Sequence, residues 1–292
     1  MSPLDVVKLT RLMERTGGRP EIVVGVIDGP VMMQPGFSSD RVREIGRAPG
    51  TCSNANSAAC MHGTLVAGVL FGRRGSEAPS ICPECTMLVR PIFSETATLR
   101  GQHATVATPG ELADAIADCV AAGARVLNMS VGLIETAVAD ERKLNDALDY
   151  AAKRGVIVVA AAGNQGTVGS SMITRHPWVI PVVACDLQGR PSSGSNLGSS
   201  IGRRGLSAAG ENVTSLGTDG KPRTFHGTSA ATPFVTGAAA LLWSEFPESS
   251  ADEVKMALVQ YGRNRRNTIV PPMLDAWRAY QTMASARGRR VN

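Results

Sequence analysis

Apolar residues in this chain fall in short unbroken runs, and the runs alternate with stretches of helical period. "EIVVGVID", residues 21–28, stays apolar until Asp28 and a Gly-Pro turn end it. Such a run predicts a strand covered on both faces. A looser stretch rich in Gly, Ser and Pro follows as far as Cys60. "HGTLVAGVLFG" then predicts a helix that starts near His62 and stops at Gly72. "TMLVRPIF" is the second strand. "TPGELADAIADCVAAG" is a helix with a Thr cap, Pro in its first turn and Gly at its end. "ARVLNMSVG" is the third strand, "ADERKLNDALDYAAKRG" a helix and "VIVVAAAGN" the fourth strand. "WVIPVVAC", "GLSAAG" and "ENVTSLG" are further strands, and helices beginning near Thr228, Ser249 and Pro272 close the chain.

Strands and helices therefore alternate, and most strands are uniformly apolar. The pattern predicts an α/β fold: a doubly wound, mainly parallel central sheet in three layers, with helices on both faces. No linker is long or polar enough to split the 292 residues, so one domain over 1–292 is expected. Residues 1–20 would be an N-terminal extension and 286–292 a disordered basic tail.

Composition changes this picture little. A chain that is 43% hydrophobic and 19% charged is globular in kind. The net charge of +5 sits largely in two arginine runs, Arg263–Arg266 and Arg287–Arg290. No aromatics interleave with them as base stacking would require, so no nucleic-acid partner is expected. No stretch approaches the roughly 20 apolar residues of a membrane span, so no membrane partner is expected either. Acids and bases are mixed through the first 20 residues, with no apolar core of signal-peptide type. The expectation is a soluble protein, cytoplasmic as the chain stands. Secretion and a segment removed beforehand stay open, as does the oligomeric state.

Six cysteines are present. Cys119 shares a helical face with Leu112, Ala115 and Ile116, and Cys185 ends an apolar run; both read as buried small hydrophobes. Cys52, Cys60, Cys82 and Cys85 are close in sequence and leave three states open: two short-range disulfides, one four-thiolate zinc site, or free thiols. The gap from Cys52 to Cys60 exceeds the usual zinc-ligand spacing. Disulfides sit badly with a reducing cytosol.

In a parallel sheet the carboxyl ends of the strands share one edge, where ligands bind. Asp28 ends the first strand, Ser130 and Gly132 end the third, and Gly163 and Asn164 follow the fourth. His62 and Ser229 each open a helix in this reading. Taken singly, each has a plain structural role: a turn cap, a surface histidine, a helix cap, a turn asparagine. Together they are what amide cleavage needs. Serine is a weak nucleophile until a base takes its proton, and histidine is that base near neutral pH. A buried carboxylate fixes the imidazole tautomer and stabilises the cation that forms. A side-chain amide can donate to the developing oxyanion. His226, three residues before Ser229, is a rival base, but a neighbour on the same turn cannot easily also meet Asp28. His103 and His176 read as surface residues in loops.

At this point the chain resembles a family, the subtilisin-like serine proteases or subtilases. The motifs are "VVGVIDGPV" around Asp28, "HGTLVAGVLFG" from His62 and "HGTSAATPFVTGAAALL" around Ser229, with "VLNMSVG" and "AAAGNQG" between them. The resemblance implies Ser229 as nucleophile, His62 as general base and then acid, and Asp28 as its orienter. It implies Asn164 and the Ser229 N–H as oxyanion donors. Substrate would extend along Ser130, Val131 and Gly132, above a pocket walled by Ala161, Ala162 and Gly163. The chain departs from many members in having Ala230 after the nucleophile and Phe234 after the following proline.

Within the family, "CPECTMLVRPIF" and "GTSAATPFVTG" are similar to cyanobactin maturation proteases. Those enzymes cut leader or follower segments from ribosomal precursor peptides. The spacing from Asp28 to His62 leaves no room for the capping insertion of the macrocyclising members. The resemblance thus implies the hydrolysing type, a precursor-peptide substrate, and no cofactor required for catalysis. Structural calcium is not indicated, Asp40 being a lone candidate ligand. Other functions to be separated are a degradative protease, a peptide-binding pseudoprotease and a zinc-binding interaction module.

Overall fold

The computed structural model describes residues 2–46, 51–93, 95, 106–133, 138–259 and 267–288. In chain order these form α1 (Pro3–Val6), α2 (Thr10–Arg15), β1 (Val23–Asp28), β2 (Val42–Glu44), α3 (Ala58–Phe71), β3 (Thr86–Pro91), β4 (Val106–Ala107), α4 (Pro109–Ala121) and β5 (Val126–Met129). Then follow β6 (Gly132–Leu133), α5 (Val138–Lys153), β7 (Ile157–Ala161), α6 (Met172–Arg175), β8 (Val179–Cys185), α7 (Ser199–Arg204) and β9 (Leu206–Ala209). A hairpin of β10 (Val213–Leu216) and β11 (Pro222–Phe225) leads to α8 (Thr228–Glu245), α9 (Ala251–Val259) and α10 (Ala276–Ala286).

Seven strands build the central sheet in the order β2-β3-β1-β5-β7-β8-β9, and each described pairing is parallel. The α/β three-layer architecture is as expected. Alternate side chains of each strand feed two cores. Val24, Val26, Ile157 and Val159 join the residues of α3 and α8 on one face. Ile27, Leu127, Met129 and Val158 join those of α4 and α5 on the other. Residues 2–20, expected to be an extension, belong to the first layer: Val7, Leu9 and Leu12 are fully buried in it.

Several boundaries differ from the sequence reading. Helix α3 begins four residues before His62, because the Ser57 hydroxyl accepts from Cys60 N–H (3.0 Å) and caps it. The third strand of the sequence reading ends at Met129 rather than continuing to Gly132. Gly132 instead pairs with Val106 in a separate two-stranded ribbon. "ENVTSLG" pairs antiparallel with Pro222–Phe225 outside the main sheet. The last helix starts at Ala276, capped by Asp275, not near Pro272. Pro272 and Leu274 hydrogen bond to Ser207 and so cover the open edge of β9. Arg263–Arg266 and residues 289–292 of the expected tail lie outside the described residues.

Candidate active site

Asp28 is fully buried at the carboxyl end of β1. Its Oδ1 accepts the Gly29 N–H at 2.6 Å and lies 2.6 Å from His62 Nδ1. Its Oδ2 is buried and, among the described residues, has no hydrogen-bond partner. The turn after β1 is pressed against the start of α3, since a Cβ on Gly29 would stand 2.0 Å from the Ala59 carbonyl oxygen. That close approach is what brings the histidine helix onto the carboxylate. His62 is therefore not at a helix start, as the sequence suggested, but in the second turn of α3.

With Nδ1 donating to Asp28, the neutral ring keeps its lone pair on Nε2, the atom a general base must offer. Burial pushes the pKa of the imidazole down, but the Asp28 charge and hydrogen bond outweigh it and hold the pKa above its ordinary 6.5.

Ser229 lies in the first turn of α8 and is 9% exposed. It is not the helix cap, since Gly227 (φ +102°) holds that position. Pro233 is the sixth residue of this helix, beyond the first turn. Lacking an N–H, it leaves the Ser229 carbonyl without its helical donor. The Ser130 hydroxyl fills that role, donating to Ser229 O at 3.4 Å. Behind it, Asn128 Nδ2 donates to Ser130 Oγ (3.2 Å), and Thr236 Oγ1 donates to Asn128 Oδ1 (2.9 Å). All four residues are buried. A polar chain thus binds the end of β5 to the first and third turns of α8. No hydrogen bond joins His62 to Ser229 among the described residues. In resting enzymes such bonds are often long and tighten only with substrate.

Asn164 follows β7 and sits against the same helix start. Thr228 N–H and Oγ1 both donate to its Oδ1, at 2.9 and 3.0 Å. A backbone N–H can only donate, so the oxygen must face Thr228 and Nδ2 is left to donate elsewhere. Gly163 (φ +105°) sends its own N–H to Thr228 Oγ1 at 3.3 Å. Because β5 and β7 are neighbours, Ser130–Gly132 and Ala161–Gly163 leave the sheet side by side. Ser130, Val131, Ala161 and Ala162 are buried, while Gly132 and Gly163 are half-buried.

The cysteines divide. Cys52 and Cys60 form a disulfide with Cα atoms 5.6 Å apart, whereas Cys82 and Cys85 are free and buried. The four do not make one thiolate centre. Cys82 N–H bonds to Leu70 O near the end of α3, and Cys60 lies in its first turn, about 15 Å of helix away. Nor do the second two form a disulfide. Burial pushes Cys82 well above the ordinary thiol range, and a hydrogen bond from Cys82 lowers Cys85. Among the described residues one grouping has metal-ligand spacing, Cys52, Cys60 and Glu95, and its two sulfurs are bonded to each other. Asp40 is exposed and paired with Arg41 (3.7 Å).

His176 is buried, not a surface residue. It ends α6, its Nε2 lies 3.3 Å from Asp149 Oδ1, and burial lowers its pKa despite that carboxylate. His103 lies outside the described residues. His226 is exposed and has no hydrogen bond to Asp28. Sequence reasoning missed Asn128, Thr236 and Ser57. Asn128, a lone polar residue within the apolar "VLNM" strand, was the available signal for a buried polar contact.

Residues 19–272 match the subtilase family, peptidase S8. The chain belongs to the subtilase family. Among solved subtilase-like structures, a mutant of the protease domain of PatA aligns with a TM-score of 0.81 at 30% identity, over 92% of this chain and 97% of that one. Prenylagaramide maturation protease PagA aligns at 0.78 and 28% identity, over 94% and 98%. A thermostable alkaline protease of Halalkalibacterium halodurans is 30% identical over 200 residues, 68% of this chain and 51% of that protein. Subtilisin DY of Bacillus licheniformis is 36% identical over 146 residues, 49% of this subtilase and 51% of its own length. The chain thus spans about half the length of these two relatives. No described helix is long and apolar enough to cross a membrane.

Proposed function

We propose that this subtilase is a serine endopeptidase that removes the leader from a ribosomally made precursor peptide. The observation that carries the chemistry is the Asp28–His62 pair at 2.6 Å, which fixes Nε2 as the basic nitrogen. The substrate class draws on the likeness to PagA, a prenylagaramide maturation protease, over nearly the whole of both chains.

The steps follow from the residues. His62 Nε2 takes the Ser229 hydroxyl proton as Oγ attacks the scissile carbonyl. The oxyanion accepts from Asn164 Nδ2 and the Ser229 N–H, each such donor contributing about 3–4 kcal/mol. The C–N bond breaks as His62 returns its proton to the leaving amine. Water then attacks the acyl-enzyme, giving a proton to His62. Ser229 Oγ recovers that proton as the new carboxyl group departs. The acyl side of the peptide lies along Ser130, Val131 and Gly132, with its last side chain over Ala161, Ala162 and Gly163. These small apolar walls demand no charge.

A fluorophosphonate probe should label wild type on Ser229 and fail with His62→Ala. Mass spectrometry of a cyanobactin-type precursor should show one cut between leader and core. Absence of labelling in folded wild type refutes the hydrolase. Labelling with many scattered cuts refutes the maturation role and leaves a degradative protease.

A further inference from the structure

The site has a second side. Along the sheet edge the strands run β1, β5, β7, β8, β9. Asp28 stands at the first, Ser130–Gly132 follows the second and Asn164 the third. Beyond Asn164, over the ends of β8 and β9, opens a cleft of about 470 Å³. Asn164 and Gly227 form its inner wall, and Ser192, Ser193, Glu211 and His226 line the rest.

Resting on the function proposed above, this cleft faces the half of the peptide that leaves as the amine. The acyl half lies on the β5 side of Ser229, so the residues after the cut must exit on the opposite side, past Asn164 and Gly227.

The cleft has a marked chemistry. Among the described residues Glu211 is its one carboxylate, and the other polar side chains are hydroxyls, amides and one imidazole. Glu211 is half-buried, and Ser192 Oγ donates to its Oε1 at 2.6 Å. That bond fixes the carboxylate without neutralising it. Among the described residues no Lys, Arg or His forms an ion pair with Glu211, whereas the nearby Asp186 already holds Arg190 at 2.7 Å. The backbone beneath Glu211 is also tied to the nucleophile's helix. Gly227 N–H donates to Gly210 O at 2.8 Å, and Gly210 N–H to Cys185 O at 3.0 Å. A fixed, unpaired carboxylate beside the reaction centre is an acceptor for a cation.

We propose that Glu211 is a specificity-determining residue, selecting peptides with Lys or Arg among the first residues after the scissile bond. The occupant is a basic side chain, held by Glu211 with the cleft hydroxyls around it.

The test uses two peptides identical up to the cut and bearing Arg or norleucine at the first two positions beyond it. Wild type should favour the Arg peptide in kcat/KM by about 2–5-fold, the size of a partly exposed charge pair. In Glu211→Gln that ratio should fall to near one. Glu21→Gln removes the same charge before β1, at the other end of the sheet, and should keep the ratio. Binding supplies a readout free of chemistry: Ser229→Ala should hold the Arg peptide more tightly than the norleucine one, and Ser229→Ala with Glu211→Gln should not. A ratio near one in wild type, or one that survives Glu211→Gln, overturns the inference while leaving the protease intact. Failure of wild type to cleave either peptide, with the binding preference present, counts against the protease reading alone.

Discussion

Gly63→Ala tests whether backbone packing sets the geometry of the proposed catalytic pair, Asp28 and His62. A Cβ at Gly63 would stand 2.4 Å from Gly29 O and 2.6 Å from Pro30 O. Both obstacles are backbone atoms of the turn that follows Asp28, so neither can rotate aside. Reaching ordinary contact near 3.4 Å requires α3 and the turn to separate by about 1 Å. His62 precedes Gly63 on that helix and would move with it. If the displacement falls along the Asp28–His62 line, the 2.6 Å contact opens to about 3.6 Å, outside hydrogen-bonding range. Misplacement of this size costs roughly 100-fold in turnover, and overpacking costs a further 1–3 kcal/mol or so of stability. The assay is kcat on a chromogenic peptide, with the melting temperature and the fluorophosphonate labelling rate measured on the same sample. Gly169→Ala, where an added Cβ meets nothing within 4 Å, is the control and should behave as wild type. A folded Gly63→Ala with kcat within threefold of wild type would show that the turn does not hold the pair in register.

Ser229→Ala should lower kcat by about 10⁶-fold, the size known for the related subtilisin, and leave peptide binding by calorimetry nearly intact. The pH profile carries a sign: with His62 as the proposed general base, kcat/KM should rise with pH as the ring loses its proton, with a midpoint above 6.5. In Asp28→Asn burial acts on the imidazole without the opposing charge, and the midpoint of the residual activity should move below its wild-type position. By linkage the raised His62 value stabilises the fold fully below pH 6.5, and that contribution fades as pH climbs through the folded-state pKa. A denaturant series across this range reads it. Cys52→Ser with Cys60→Ser opens a loop of sequence separation 8 and should cost about 2–3 kcal/mol in denaturant titration. Ser130→Ala leaves the Ser229 carbonyl and the Asn128 amide unpaired, and should cost about 1–3 kcal/mol with a fall in kcat larger than any rise in KM.

The parallel sheet was legible in the sequence because a strand buried on both faces must be apolar at every position, and four such runs stand out. The sequence also placed Asp28, Ser130 and Asn164 at one edge, since each lies at or just beyond the carboxyl end of such a run. What it misjudged has local causes. The start of α3 was hidden because its cap, Ser57, lies in a polar stretch that looks like loop, and only the Cys60 N–H meeting its hydroxyl reveals it. The hairpin strand "PRTF" is polar and mostly exposed, so no periodicity marks it. The separation of the two cysteine pairs is a matter of helix length between contacts distant in sequence, which spacing alone does not encode.

Pro233 shows how far a local rule reaches before tertiary structure takes over. Sequence logic tolerates proline in a first helical turn, where its missing N–H is spare anyway. Here it stands one turn deeper, and the carbonyl it fails to serve is that of Ser229. The donor comes from Ser130, just past the end of β5 and 99 residues away in sequence. Ser130 in turn is held through Asn128 by Thr236, one helical turn past the proline. The proline thus creates a vacancy at the proposed nucleophile that the proposed substrate-binding segment, through Ser130, fills. A helix free of proline would satisfy Ser229 O internally and remove the Ser130 link, leaving only the Thr236–Asn128 bond between strand and helix. The same residue that looks like a helix defect is what makes the position of one half of the site depend on the other.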